Sequence, residues 1–251
     1  MPRYTEKHTL MKKTGLVIAL LAGFLATHAQ NEKKLVVDAN AEVRSVDKFT
    51  AIEVSDAIDL YISQGVSEAV AISGSTDEIK TRIKTEVRNG TLHIYFDSKG
   101  INWRRWGNNR MKAYVTYSTL EKIEASGACN VRATDSIRQP ELRMEMSGAS
   151  DFTGDVAIGR FRVIASGASN LKIAGRADNA LIEATGACTI KAYDLSANTC
   201  KIDATGASNV KLTVNKELSA SATGGSTIYF KGEGLIRDIS STGGASIKRI
   251  N

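Results

Sequence analysis

Seven short stretches in the second half of the chain repeat one another: SGACNV, SGASDF, SGASNL, TGACTI, TGASNV, TGGSTI and TGGASI, beginning at residues 126, 147, 166, 185, 205, 223 and 242. All seven read Ser or Thr, Gly, Ala or Gly, a small residue, then a polar and an apolar residue. The glycines (127, 148, 167, 186, 206, 224, 243) recur every 18 to 21 residues. A period near twenty is too short for a pair of packed helices and suits one coil of a solenoid.

Periodicity decides between helix and strand within the coil. Around Gly167 the apolar residues Phe161, Val163 and Ala165 precede the glycine, and Leu171 and Ile173 follow it, with Arg162, Asn170 and Lys172 between them. That is a period of two on both sides. The same register recurs at Ile123/Ala125 and Cys129/Val131, at Ile182/Ala184 and Cys188/Ile190, and at Ile202/Ala204 and Ser208/Val210. The expected fold is all-β: a single-stranded β-helix of roughly 20-residue coils, right-handed, each coil two short strands hinged at the Gly-Ala corner and closed by a second turn such as AGRADN. Glycine meets the backbone angles of a tight corner. The residue two after it (Cys129, Ser150, Ser169, Cys188, Ser208, Ser226, Ala245) points inward where space is short, and the polar residue after that (Asn130, Asp151, Asn170, Thr189, Asn209, Thr227, Ser246) points outward as a potential hydrogen-bonding ladder.

This register settles the cysteines. Cys129 and Cys188 occupy equivalent corners three coils apart, about 14 Å at the strand spacing, beyond the reach of a disulfide. Cys200 falls in the inward register of Leu142 and Phe161, so three free, buried thiols are expected.

Residues 1–29 read as a secretory signal peptide, with Met11 a candidate true start: Lys12 and Lys13 precede an apolar stretch from Leu16 to Leu25, and small residues precede a cut before Gln30. The apolar run is shorter than the roughly 20 residues a bilayer span needs, so no transmembrane segment is expected in the mature chain. Removing Arg3, Lys7, Lys12, Lys13 and Glu6 lowers the formal charge from +6 to +3, which makes no strong electrostatic claim on nucleic acid. One histidine, His93, then remains, too few for a His-rich metal site, and no nucleophile and base stand beside it. No metal or cofactor is expected.

Residues 30–119 are more diverged. FTAIEV, AIDLYIS, AVAIS, TLHIYF and KAYVTY alternate like strands. Ile52, Ile72, Leu92 and Val115 are spaced at 20, 20 and 23 residues, consistent with earlier coils and a cap that lack the Gly-Ala corner, continuous with the regular repeats of 120–251.

Two features carry the candidate sites. One is the loop KGINWRRWGNNR, in which Trp103 and Trp106 flank Arg104 and Arg105, a chemistry suited to stacking on a sugar or gripping an anion; the alternative, and the leading one, is that the loop packs back on the solenoid as a plug and the tryptophans are core. The other is a basic row five residues after the corner glycines (Arg132, Lys172, Lys191, Lys211, Lys248), of which Lys172, Lys191 and Lys211 are the central candidates. It suits an acidic glycan or anionic lipid head groups, or serves as a solvated face that discourages edge pairing. A separate outward row of Glu124, Glu145, Glu183 and Asp203 lies beside Lys122, Arg143, Arg162 and Lys201 and is expected to be neutralised by them.

FTAIEVSDAIDLYISQG, VRNGTLHIYF and the serial SGASNL-type corners together resemble the bacterial head GIN domain family of autotransporter-type adhesins, over roughly residues 46–250. The resemblance implies a β-helix-like fold in the bacterial envelope (periplasm, outer envelope or extracellular) and an adhesive role toward a glycan, lipid or surface protein. It brings no catalytic residues, and the stretch after Gly244 is too short to supply a translocator barrel. A non-catalytic exported adhesin is therefore the leading expectation. The alternatives are a polysaccharide-active enzyme on a β-helix groove, which would need two carboxylates facing one cleft, and a purely structural envelope protein.

Overall fold

The structure, a computed structural model, describes residues 38–101 and 109–250. Residues 1–29, expected to be a signal peptide, and the cluster Trp103, Arg104, Arg105 and Trp106 lie outside the described residues.

Alternating apolar side chains force the chain into strands that bury one face, and the repeat stacks those strands coil on coil into a single 17-stranded sheet wound around one core. Two tracks meet at the glycine corner. The first holds β2 (Ala51–Val54), β6 (Thr91–Phe96), β8 (Lys122–Ala125), the C-terminal parts of β10 (Ile137–Met146), β11 (Asp151–Gly167), β12 (Asn170–Gly186), β13 (Thr189–Gly206) and β14 (Asn209–Gly224), and β16 (Leu235–Gly243). The second holds β3 (Asp59–Gln64), β7 (Met111–Tyr117), β9 (Asn130–Ala133), the N-terminal parts of β11 to β14, β15 (Thr227–Lys231) and β17 (Ser246–Arg249). Pairing is parallel throughout these tracks and keeps the repeat in register: Leu142 pairs with Phe161, Phe161 with Ala180 and Ala180 with Cys200. The β-helix of roughly 20-residue coils expected from the repeat is therefore what the chain forms.

The closing turn of each coil is more than a turn. The stretch AGRADN belongs to β12, where Gly175 pairs with Val156, Arg176 with Ala157 and Ala177 with Ile158. Ala177 is buried, as are Ile158 and Ala197 beside it. The coil thus has a third short side, made because the alternation restarts after each bend and again aims a side chain inward.

The small inward position after each corner shows why Ser and Cys interchange there. Ser169 donates to the carbonyl of Ser166 at 3.0 Å and Ser208 to that of Thr205 at 3.0 Å, while the thiols of Cys129 and Cys188 reach the carbonyls of Ser126 and Thr185 at 3.2 and 3.4 Å. At these four corners a small side chain with one donor satisfies the third-preceding carbonyl in a buried site, whereas the Ser226 hydroxyl is buried without a partner. All three cysteines are free and buried, as the register required. Burial pushes the Cys129 thiol up to about 11 and the Cys200 thiol up to about 12.

The corners stack directly on one another. Gly206 has φ +78°, its carbon would carry a Cβ 2.6 Å from the carbonyl oxygen of Gly186, and that oxygen accepts a 2.7 Å hydrogen bond from the N–H of Ala207. Each interior corner therefore fills the space a side chain on the next would occupy.

At the N-terminal end the order of coils departs from the order of the chain. β2 lies between β6 and β8, and β3 between β7 and β9, so the first coil is inserted between the second and the third. Ile52 and Leu92 do pair, but Ile72 lies in β4 (Ala69–Gly74), which runs antiparallel to β7. The even spacing of Ile52, Ile72, Leu92 and Val115 does not mark four successive coils, because a period of two is the same in either strand direction. β4, β1 (Glu42–Arg44), β5 (Ile83–Arg88) and the one-and-a-half-turn helix α1 (Asp77–Arg82) close this end: β1 and β5 pair antiparallel with β4 and β6, and Ile79, Ile83 and Phe96 are buried beneath them. Thr76 caps α1 by accepting from the N–H of Ile79. At the other end the inward residues of the last coil stay open to solvent, Ile236 at 50% and Ile239 at 39% exposure.

Candidate recognition surface

The outward rows of the two tracks differ in charge balance. On the first track, Lys122 lies 2.6 Å from Glu124 and 3.2 Å from Glu145, Arg143 pairs with Glu145, Arg162 with Glu183 at 2.8 Å, and Lys201 with Asp203 at 3.8 Å. The acidic and basic ladders neutralise each other as expected. Partial burial pushes the Glu145 carboxyl up, but hydrogen bonds from Arg143 and Lys122 outweigh it and hold it below its ordinary range. A general acid needs the opposite shift.

The same track carries a shallow cleft at its N-terminal end, lined by Glu53, Asp56, Arg88, His93 and Tyr95. Its polar groups are turned on one another: His93 Nδ1 is 3.1 Å from Glu53, and Glu86 pairs with Arg88. Among the described residues no group of three or more His, Cys, Asp or Glu side chains could hold a metal ion.

On the second track one outward row runs in unbroken register: Tyr114, Tyr61, Arg132, Thr153, Lys172, Lys191, Lys211, Tyr229 and Lys248. Lys172, Lys191 and Lys211 are thus brought together on adjacent coils at the inter-strand step of ~4.8 Å. Among the described residues none of these three, nor Lys248, has an acidic partner within ion-pair distance. Like charges directly opposite each other on neighbouring strands destabilise a sheet, so this row works against the fold where the first track's rows work for it.

The tyrosines of the row do different work at its two ends. Tyr61 and Tyr114 stack with centroids 5.2 Å apart, and the Tyr114 hydroxyl donates to Asp38 at 2.7 Å. Burial and the Asp38 charge both drive the Tyr114 hydroxyl pKa upward, which ties this end into the cap. Tyr229 instead lies half-buried between Lys211 and Lys248, and beside it Lys231 sits 5.1 Å over the ring of Tyr193.

The neighbouring outward row is the polar ladder: Asp59, Asn130, Asp151, Asn170, Thr189, Asn209, Thr227 and Ser246 in register. The amides of Asn130 and Asn170 donate to Asp59 and Asp151 at 2.7 and 3.0 Å. From Thr189 onward the ladder makes no such pair among the described residues, and the Asn209 amide oxygen is buried without a partner.

The extension of the basic row through Tyr61 and Tyr114 escaped the sequence pattern because the first corner carries no glycine. That corner is Ser55, Asp56, Ala57 and Ile58, which stands under Ser126, Gly127, Ala128 and Cys129. Asp56 and Ala57 adopt φ 64° and 59°, and the Asp56 carboxylate accepts from the N–H of Phe96 at 3.1 Å. No preceding glycine corner stacks against it, so a Cβ fits, and Asp tolerates the left-handed conformation better than most residues. Aligning SDAIDLY on SGACNVR is the signal that finds it.

A parallel β-solenoid with one self-neutralised charged face and one cationic face defines an extended surface for contact, with no assembled reactive centre among the described residues. The chain belongs to the family described as "Putative auto-transporter adhesin, head GIN domain", whose model matches residues 48–234. No curated protein matches the chain significantly. Among solved structures it is similar to a putative adhesin from Bacteroides fragilis (TM-score 0.77, 23% identity, covering 84% of this chain and 96% of that one). It is also similar to a putative lipid binding protein from Parabacteroides distasonis (TM-score 0.65, 17% identity, 84% and 97% covered) and a putative adhesin from Parabacteroides merdae (TM-score 0.65, 18% identity, 84% and 95% covered). At these identities the likeness establishes the fold. No helix among the described residues is long and apolar enough to cross a membrane.

Proposed function

We propose that the protein is an exported, non-catalytic adhesin of the bacterial envelope that holds an anionic partner on its second track. The observation that carries the reading is the row Lys172, Lys191 and Lys211, three cations in register with no acidic partner among the described residues. Beside a face that neutralises itself, an unbalanced cationic row costs the sheet repulsion that a ligand of opposite charge would relieve. Export rests on the leader Met11–Ala29, and the role rests on family membership. Trp103, Arg104, Arg105 and Trp106, in the segment joining β6 to β7, supply a second contact of the same chemistry.

Catalysis on a polysaccharide is disfavoured because the carboxylates of the first track are held by neighbouring cations. The similar structure described as a lipid binding protein keeps lipid head groups among the partners to be assayed.

An array of glycans, anionic lipids and envelope proteins, probed with the protein, a Lys172→Gln/Lys191→Gln/Lys211→Gln variant and a Trp103→Ala/Trp106→Ala variant, tests the reading. Binding that falls with salt and is lost in the lysine variant is expected. Binding of the parent and the lysine variant alike would remove the second track from the function.

A further inference from the structure

The chemistry around the lysine row narrows the ligand. Immediately beside Lys172, Lys191 and Lys211 run the amide and hydroxyl side chains of Asn170, Thr189 and Asn209 in the same register, one per coil. Tyr229 continues the lysine row on the next coil and Thr227 continues the polar one. A strip that repeats one cation and one neutral hydrogen-bonding group per coil, and then offers an aromatic ring, matches a polymer that repeats one anion and several hydroxyls per unit. The extended length of a hexuronate residue is comparable to the coil step of ~4.8 Å.

The same surface is poorly suited to a membrane. Among the described residues, the large apolar side chains that are well exposed are Val43, Val66, Leu235, Ile236 and Ile239, and all lie in β1, in the β3 to β4 turn or in β16, none on the second track beside the lysines. With nothing apolar to insert among the described residues of this track, a head group would be held there by charge alone, with no use for an amide ladder or a tyrosine.

We infer that the strip from Lys172 to Tyr229 binds a linear acidic polysaccharide of the polyuronate type, laid along the solenoid axis. Its carboxylates rest on Lys172, Lys191 and Lys211, its hydroxyls on Asn170, Thr189, Asn209 and Thr227, and a sugar ring on Tyr229. The inference rests on the reading of the second track as the recognition face and names the ligand of that face.

The test is titration of the full-length protein with four probes: polygalacturonate, the neutral polymer amylose, inorganic polyphosphate, and vesicles of phosphatidylglycerol and phosphatidylcholine in equal parts. Polygalacturonate is expected to bind in preference to the other three. The Lys→Gln triple variant should weaken it by at least about tenfold, from the loss of three surface charge contacts. Tyr229→Ala should weaken it about threefold or more, from the loss of one ring contact, and the Lys→Arg triple variant should restore it. Circular dichroism of each variant confirms that the fold is intact. Polyphosphate bound as tightly as polygalacturonate, with Tyr229→Ala silent, would reduce the strip to a general anion surface and overturn the inference. Preference for the vesicles would overturn it in favour of lipid. If polygalacturonate fails while another ligand shows lysine-dependent binding, the inference falls and the recognition face stands; if no probe or array ligand depends on the lysines, both fall.

Discussion

Replacing Gly206 by alanine isolates the contact between stacked corners, provided Gly127→Ala is measured beside it. The two glycines have nearly the same backbone, φ +78° and +82°. The strain of a side chain in the left-handed region, about 1–2 kcal/mol, and the opposing gain from a stiffer unfolded chain, ~0.4–1 kcal/mol, are therefore common to both. What differs is the space. At Gly206 the new Cβ would stand 2.6 Å from the Gly186 carbonyl oxygen, a backbone atom held by the hydrogen bond from Ala207. At Gly127 the nearest atom is the Asp56 nitrogen at 3.4 Å, an ordinary contact. Overpacking against atoms that cannot swing away costs about 1–3 kcal/mol. Gly206→Ala is expected to destabilise by about 2–4 kcal/mol and Gly127→Ala by about 1 kcal/mol, read as the shift in urea midpoint by far-ultraviolet circular dichroism with the slope unchanged. Equal losses for the two variants would refute the account of the corner as a column of mutually excluding backbones.

Other consequences are equally direct. Leu171 is fully buried on the second track, and Leu171→Ala should destabilise by about 2–5 kcal/mol in the same urea assay, where a loss below ~1 kcal/mol would mean the coil interior is not close-packed. The thiols of Cys129 and Cys200 should resist iodoacetamide at pH 8 in the folded protein and react once it is unfolded, with no disulfide in non-reducing mass analysis. Because both folded-state pKa values lie above the ordinary ~8.5, their contribution to stability is complete below that pH and is lost as pH climbs toward 11 and 12. The urea midpoint should fall over that range, and less steeply in Cys200→Ala. Lys122→Gln removes the cation between Glu124 and Glu145 and should lower stability by less than ~1 kcal/mol, an effect that molar salt abolishes.

The coil is legible in the chain because the repeat reports the same environment seven times. Each SGASNL-type corner carries a glycine, a small inward residue and an outward polar residue, so Cys129 and Cys188 declare themselves as stand-ins for Ser169 and Ser208 without a structure. The charge rows follow from the same register, since residues one period apart must be cross-coil neighbours. The loop with Trp103 and Trp106 stands out by composition alone, and its arrangement falls outside the described residues.

Tertiary structure decided what periodicity cannot encode. Alternation has no direction, so it could not tell that β4 and β5 run antiparallel and close the N-terminal end, or that the coil of β2 and β3 slots between its successors. It also could not find the corner at Asp56, where the lack of a preceding glycine corner removes the requirement for glycine. With that coil in place, the lysine row gains Tyr61 and Tyr114 at one end. Local sequence fixes the period, because each coil needs the same side chains to bury its own backbone; the order of the coils depends on which exposed edge best covers another, and that is a property of the assembled molecule.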